Sequence, residues 1–142
     1  PDGAQVVCSV SRYNMQENKA TSSLYLLSTF GGKPRLLTSC GEKDGEPLWS
    51  PRGDKIAFDA RREQEGHKDD APQLYIIAPD GGEAVRITSL ATGVSGIKWF
   101  AAMYFSTVSI TSLSNGFTAN IFFWSGNFEL TTLPQSIVRM VV

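Results

Sequence analysis

The sequence is short of histidine and cysteine, two residue types on which hydrolytic and metal chemistry often depends. It has one histidine, His67, and two cysteines, Cys8 and Cys40, in 142 residues. A Ser-His-Asp mechanism needs the histidine beside a nucleophile and an oxyanion hole, and His67 lies in a polar stretch without a recognisable partner. The cysteines match no zinc spacing. They predict a small core residue and a loop thiol, with a disulfide left open. We therefore expect no catalytic residue, no metal site and no cofactor.

A complete nucleophile motif is also missing. The sequence Gly93-Val94-Ser95-Gly96-Ile97 comes nearest to the G-x-S-x-G elbow, but its last position is isoleucine. That elbow joins a strand to a helix, and no helical pattern surrounds Ser95. We therefore expect no complete catalytic triad in this chain.

Excess charge of one sign is absent, and one long stretch has no charge at all. The chain has 13 basic and 14 acidic residues, a net charge of −1, so it lacks the basic surface that nucleic-acid binding requires. Between Lys98 and Glu129 lie 30 uncharged residues. Polar side chains interrupt them, and their longest apolar run, Trp99–Phe105, is too short to cross a bilayer. We expect no nucleic-acid partner and no membrane span.

Helical periodicity and a leader sequence are missing as well. No stretch of 11 or more residues repeats its apolar positions with a helical period, so we expect little helix. The chain begins with Pro1 and has no apolar leader. We interpret it as a piece of a longer protein, and its compartment, periplasmic or cytoplasmic, stays unknown.

The sequence matches itself when it is shifted by 50 residues. The matches need no gap and pair Pro1–Gly3 with Pro51–Gly53, Leu24–Leu27 with Leu74–Ile77, Gly31-Gly32 with Gly81-Gly82, Leu37-Thr38 with Ile87-Thr88, and Trp49 with Trp99. A fainter third copy has an offset of 47 at Met103–Phe105 and Ile121–Trp124, and of 43 at Leu130-Thr131. A fixed period of this size indicates a repeat architecture.

Each copy has the pattern of short antiparallel strands joined by Gly- and Pro-containing turns. We expect strands near residues 5–10, 24–28, 34–38, 46–50, 55–60, 74–78 and 84–88. Four strands in a repeat of about 40–50 residues are typical of a propeller blade. The predicted fold is therefore all-β: a partial β-propeller with two clear four-stranded blades plus one degenerate blade. Residues 1–45 would be a blade lacking its first strand, residues 46–95 a complete blade, and residues 96–142 the degenerate blade.

Stacked blades bury their faces against each other. We expect Trp49, Phe58 and Tyr75 in the core between blades. The two terminal faces would be open and apolar, with Val6, Cys8, Leu24 and Leu26 exposed at one end and Phe105, Ile121 and Phe123 at the other.

Two stretches resemble a known motif. Residues 49–58, Trp-Ser-Pro-Arg-Gly-Asp-Lys-Ile-Ala-Phe, are similar to the W-S-P-D-G-x-x-I-A-F motif of TolB-type, WD-repeat-like propellers, with Arg52 in place of the usual Asp. Residues 74–88 resemble the family's L-Y-V-V…G-G…R-L-T. Thr92–Phe100 and the insertion at 59–73 look more like the acylaminoacyl-peptidase and dipeptidyl-peptidase branch of the prolyl oligopeptidase family. Residues after 100 depart from this pattern. Two interpretations are open: a decayed blade, or an out-of-frame or chimeric end.

The resemblance implies the non-catalytic amino-terminal propeller of a prolyl-oligopeptidase-family serine peptidase, which gates or positions the peptide substrate. Its partner would be a hydrolase domain of the same parent chain or another protein. The alternative is a TolB-like protein-binding propeller module with no associated enzyme. A downstream hydrolase segment would distinguish the two.

Polar loops suggest where a partner could bind. We expect Ser11–Ser23 and Asp59–Gln73 to be loops that emerge on the same face of adjacent blades. Arg12, Arg61 and Arg62 are the candidate contacts for a peptide carboxylate or an acidic partner, since guanidinium groups bind carboxylates with two parallel hydrogen bonds.

Overall fold

A computed structural model describes residues 2–39, 43–64 and 66–101, together with the backbone of three further strands. The described residues form only strands and turns, which confirms the predicted all-β class, and they contain no helix long and apolar enough to cross a membrane. The strands are β1 (Gln5–Asn14), β2 (Lys19–Ser28), β3 (Arg35–Leu36), β4 (Gly45–Trp49), β5 (Ile56–Ala60), β6 (Glu63–Gln64), β7 (His67–Lys68), β8 (Gln73–Ala78), β9 (Gly81–Arg86), β10 (Ser95–Ala101), β11 (Ser106–Thr111), β12 (Thr118–Phe123) and β13 (Phe128–Glu129).

Antiparallel pairing gathers these strands into three successive sheets and one short ribbon. The first sheet has the order β1-β2-β3, the second β4-β5-β8-β9, and the third β10-β11-β12-β13. Strands β6 and β7 form the ribbon, inside the connection from β5 to β8. In each sheet the strands follow chain order, as expected for chains that turn back through short connections.

The largest departure from the predicted elements is the first hairpin. The expected loop Ser11–Ser23 is wrong, because β1 and β2 stay paired from Gln5↔Ser28 to Asn14↔Lys19. A four-residue turn closes the hairpin; the Asn14 side chain accepts a hydrogen bond from the Gln16 amide at 3.0 Å, and Asn18 has a φ of 49°. Asparagine tolerates this left-handed conformation better than most residues. Met103–Phe105 and Leu130-Thr131 of the fainter copy lie outside the described residues.

The 50-residue repeat of the sequence is also a repeat of hydrogen bonds. In the first copy the Leu24 amide donates to Thr38 Oγ1 at 2.9 Å, and in the second the Leu74 amide donates to Thr88 Oγ1 at 2.9 Å. Two backbone hydrogen bonds recur with the same spacing. The bond from Leu37 N to Leu24 O is repeated from Ile87 N to Leu74 O. The bond from Asp44 N to Ser22 O is repeated from Val94 N to Pro72 O. Equivalent positions of the two copies therefore have equivalent places in their sheets.

The apolar core consists of two clusters, one on each face of the second sheet. The cluster shared with the first sheet contains Leu24, Leu26, Leu37, Ile56, Phe58, Ala60, Tyr75, Ile77 and Ala84, with Val7 and Trp49 partly buried beside it. The cluster shared with the third sheet contains Ala57, Leu74, Ile76, Ile87, Val94 and Ile97, with Leu90 and Trp99 beside it. The period of two along a strand separates the two sets.

Burial confirms part of the predicted core. Phe58 and Tyr75 are fully buried, and Trp49 is half-buried. The prediction that Leu24 and Leu26 are exposed is wrong, because their side chains point to the second sheet and not to the open face. Val6 is exposed, as expected, and Cys8 is half-buried. Cys40 and the side chains of Phe105, Ile121 and Phe123 lie outside the described residues.

Candidate functional site

A buried arginine lies at the junction of the first and second sheets. Arg62 follows β5, and its side chain is 10 % exposed. Its guanidinium carbon lies 5.1 Å from the centre of the Phe58 ring and 5.2 Å from that of Tyr75. The two rings are stacked, with centroids 5.9 Å apart. A guanidinium is weakly hydrated and attracted to aromatic faces, so it loses less than an ammonium when it leaves water.

The charge of Arg62 is neutralised across the junction by Asp44. Arg62 Nη2 lies 2.9 Å from Asp44 Oδ2, and Asp44 is fully buried. The Asp44 carbonyl accepts a hydrogen bond from the Ser9 hydroxyl at 2.6 Å, which fixes this segment against the first sheet. Asp44 Oδ1 and Arg62 Nε are buried and have no hydrogen-bond partner among the residues that the structure describes. A buried pair with open hydrogen-bonding positions costs desolvation energy that its attraction only partly repays.

A second carboxylate organises the same end of the second sheet. Asp69 accepts hydrogen bonds from the Tyr75 hydroxyl at 2.7 Å and from the Arg62 amide at 3.2 Å. Its other oxygen lies 2.7 Å from Arg86 Nη2. Burial, and then the hydrogen bond to Asp69, raises the pKa of Tyr75 above its ordinary value. Tyr75 therefore stays a neutral donor that holds Asp69 in place.

Asp59 lies near this network but lacks a full set of partners. Its Oδ1 is buried without a hydrogen bond. Burial, and then the neighbouring charge of Glu46, raises the pKa of Asp59. The cross-strand partner Gly45 leaves room for it, because a Cβ at that position would lie 2.9 Å from Asp59 Oδ1. Glu46 has a φ of 41° within the β4 irregularity, a conformation that strains a residue with a side chain.

A cavity of about 250 Å³ opens beside this network. Apolar side chains from both sheets, a guanidinium, two hydroxyls and two carboxylates line it; its lining residues are Leu37, Thr38, Ser39, Arg62, Glu63, Ile77, Gly82, Glu83 and Ala84. Such a mixture can bind a small polar molecule. Within the part of the chain that the structure describes, no group of three or more His, Cys, Asp or Glu side chains could hold a metal ion.

The face of the first sheet that points away from the second sheet is open. Val6 is 50 % exposed and Val10 38 % exposed on this face, beside half-buried Cys8. Arg12 is also exposed there, and its Nη2 donates to the Tyr25 hydroxyl at 2.9 Å. We call these residues, together with Leu27, the open face.

The three arginines predicted to bind a partner lie in different surroundings in the structure. Arg62 is buried and paired inside the protein, Arg12 belongs to the open face, and Arg61 is exposed. Their role in binding a peptide or partner stays a prediction. Sequence reasoning did not pair Asp44 or Asp69 with an arginine, although each of them binds one. The 50-residue offset held a usable signal, since it pairs Arg12 with Arg62 and Tyr25 with Tyr75.

Comparison with known proteins gives the chain a biochemical context. It is 34 % identical over 99 residues to the uncharacterized peptidase YuxL of Bacillus subtilis, a match that covers 70 % of this chain and 14 % of that protein. It is 33 % identical over 96 residues to dipeptidyl-peptidase 5 of Porphyromonas endodontalis, which covers 68 % of this chain and 13 % of that protein. The chain is similar to part of a bacterial peptidase. The predicted link to peptidases is thereby confirmed, although the chain spans only about a seventh of these relatives. No family model matches it.

Proposed function

We propose that the chain is a non-catalytic β-propeller portion of a serine peptidase of the prolyl oligopeptidase family, in which it gates or positions the peptide substrate. The observation that carries the proposal is the identity with two bacterial peptidases over about 70 % of this chain, in a segment that makes up 14 % and 13 % of their lengths. A segment of that size is one part of a larger enzyme, and a domain that does no chemistry can still control access to the one that does.

The packing of the sheets supports the propeller part of the proposal. The residues that face the following sheet occupy equivalent positions in the first and second copies: Leu24, Leu26 and Leu37 in one, Leu74, Ile76 and Ile87 in the other. Each sheet therefore presents the same side to the next. Repetition of one such step turns successive sheets around an axis, and propellers close after about four to eight of them.

The course of the chain at Ser95 supports the non-catalytic part. Ser95 is the first residue of β10, and the strand continues to Ala101 through an irregularity in which Gly96 has a φ of 62°. A nucleophile elbow instead lifts its serine out of the sheet at a sharp turn into a helix. The backbone around Ser95 therefore lacks the geometry that exposes a nucleophile beside an oxyanion hole.

A serine-reactive fluorophosphonate tests the proposal on the complete parent protein. We expect the probe to label a serine outside residues 1–142, and Ser95→Ala to leave both labelling and peptide hydrolysis unchanged. The 142-residue chain by itself should hydrolyse neither peptide nor ester substrates. Labelling at Ser95, or turnover that Ser95→Ala abolishes, would overturn the assignment. A parent protein that has no labelled serine and binds other proteins would favour the TolB-like alternative.

A further inference from the structure

The open face of the first sheet has an occupied counterpart within the same chain. Arg12 and Tyr25 stand 50 residues before Arg62 and Tyr75. Each arginine contacts its tyrosine: Arg12 Nη2 bonds the Tyr25 hydroxyl at 2.9 Å, and Arg62 stacks on the Tyr75 ring at 5.2 Å. The two pairs therefore occupy equivalent positions on equivalent sheet faces.

In the second sheet, the first sheet covers this face. Ile56, Phe58 and Ala60 are fully buried there against apolar side chains of β2, and Arg62 binds the buried carboxylate of Asp44. The first sheet thus presents an apolar surface to its neighbour. The carboxylate comes from Asp44, in the connection from β3 to β4, whose backbone bonds to Ser9 and Ser22 of the first sheet.

In the first sheet, the corresponding positions are uncovered. Val6, Cys8 and Val10 stand 50 residues before Ile56, Phe58 and Ala60, but two of them are exposed and Cys8 is half-buried. Arg12 is exposed and binds no carboxylate among the described residues. Among the described residues, the hydrogen-bond partner of its guanidinium is the neutral Tyr25 hydroxyl.

The charged positions of the repeats change together. At the junction of the second and third sheets, the position equivalent to Asp44 is Val94, which is buried in an apolar cluster. The third copy has no arginine to match it, since residues 99–128 are uncharged. The junction of the first and second sheets thus has both a carboxylate and an arginine. The junction of the second and third sheets has an apolar residue in place of the carboxylate, and no equivalent arginine.

The indole nitrogen of half-buried Trp49 gives an independent indication. Trp99 Nε1 donates to the Leu48 carbonyl of the preceding sheet at 3.1 Å. The equivalent nitrogen of Trp49 is buried and has no hydrogen-bond partner in the described part of the chain. The first sheet lacks the strand that would carry the equivalent carbonyl, because its edge strand β1 corresponds to β5 and not to β4. An additional strand beside β1 would supply that acceptor, and buried N–H groups are rarely left without one.

We propose that the open face is a docking surface for another β-sheet of this repeat type, which presents apolar side chains around one buried carboxylate, and that Arg12 binds that carboxylate. The occupant also adds a strand at the edge of β1. The proposal rests on the propeller part of the proposed function, since both use the sheet packing within this chain, but it uses no peptidase activity. Failure of the fluorophosphonate test would therefore overturn the peptidase assignment and leave this proposal standing.

A tandem chain supplies a defined occupant. A second copy of residues 1–50, fused directly before Pro1, places Ser50 before Pro1 just as Ser50 precedes Pro51. With Cys40→Ser in both copies and Cys8→Ser in the added copy, the original Cys8 is the one thiol left. We expect maleimide to label it about tenfold more slowly in the tandem chain than in the single chain, because docking buries it. Equal labelling rates in the tandem and single chains would overturn the proposal. This holds both for an added copy that folds without docking and for one that stays unfolded.

A double-mutant cycle in the tandem chain tests the role of Arg12. Arg12→Gln in the original copy, and Asp44→Asn in the added copy, should each return much of the lost labelling rate. Both changes together should do no more than either alone, because each removes the same ion pair. Arg61→Gln is the matched control and should leave the rate unchanged. If the two substitutions change the labelling rate by factors that multiply, or if neither changes it, Arg12 does not bind the carboxylate.

Discussion

Two aromatic rings, one carboxylate and a backbone hydrogen bond hold Arg62 between the first and second sheets. Phe58 and Tyr75 provide the flat surface on which the guanidinium lies, and Asp44 provides the charge. Asp69 fixes the strand end by accepting from the Arg62 amide. Loss of either charged partner would leave the other buried without compensation, which makes this pair sensitive to substitution.

Arg62→Ala should lower the free energy of unfolding by about 3–5 kcal/mol, since it leaves the Asp44 carboxylate buried and unpaired. Urea denaturation measures the change. Arg61→Ala is the control, and at an exposed position it should cost less than about 0.5 kcal/mol. Equal costs for the two variants would mean that the Arg62–Asp44 contact contributes nothing to stability.

Asp59→Asn should change how stability depends on pH. Burial, and then Glu46, raises the pKa of Asp59 in the folded chain above its model-compound value of 3.8. The folded state therefore binds this proton more tightly than the unfolded state. The resulting stability is fully present below pH 3.8 and is lost as pH rises through the folded pKa.

The asparagine variant should consequently be more stable than the parent at pH 7, and the difference should disappear below pH 3.8. Urea midpoints across that range measure it. Glu46→Gln should shift stability in the same direction by less, because it removes only the smaller cause. A variant less stable than the parent at pH 7 would contradict the expected sign.

At the scale of strands, the predictable part of the fold is the part in which one face is buried. Strands β5 and β8 were predictable because their apolar residues alternate or run together. The distal half of the first hairpin was not, since its polar side chains are exposed on both faces and leave no periodicity. The Arg62–Asp44 pair joins residues 18 positions apart in two separate connections between strands, and no local pattern records such a contact.

The β4–β5 pair offers a test of close approach. Gly45→Ala should cost about 1–3 kcal/mol of unfolding free energy, because the added Cβ would lie 2.9 Å from Asp59 Oδ1 and the aspartate side chain must move. Thermal unfolding of the variant and of the double change with Asp59→Ala measures this. The second substitution removes the obstructing oxygen, so the double variant should recover part of the loss. No recovery would place the cause in the backbone and not in the contact.

In the molecule as a whole, the second sheet packs between the first and third sheets, and the first sheet has one exposed face. Apolar area left open in this manner favours association between molecules, and the edge of β1 adds unpaired backbone groups. The second sheet, which is covered on both faces, shows what the same residues do when a neighbour is present.

We expect the isolated chain to associate with itself at high concentration. Sedimentation velocity should show an average mass that rises with concentration, and Val6→Ser combined with Val10→Ser should reduce the rise. Phe30→Ser, a change at an exposed turn away from that face, is the control and should have little effect. A monodisperse monomer with a sharp melt above about 60 °C would contradict this expectation.

The exchange of Asp44 for Val94 at equivalent positions also bears on how the chain folds. Similar repeats in one chain can dock in the wrong order, and such misassembly is a common failure of repeat proteins. If the third sheet took the place of the second against the first, Asp44 would face a sheet without an arginine, because residues 99–128 are uncharged, and a buried anion without a cation costs several kcal/mol. The Asp44–Arg62 pair thereby gives each sheet a preferred neighbour, and it makes the misordered chain less stable than the native one.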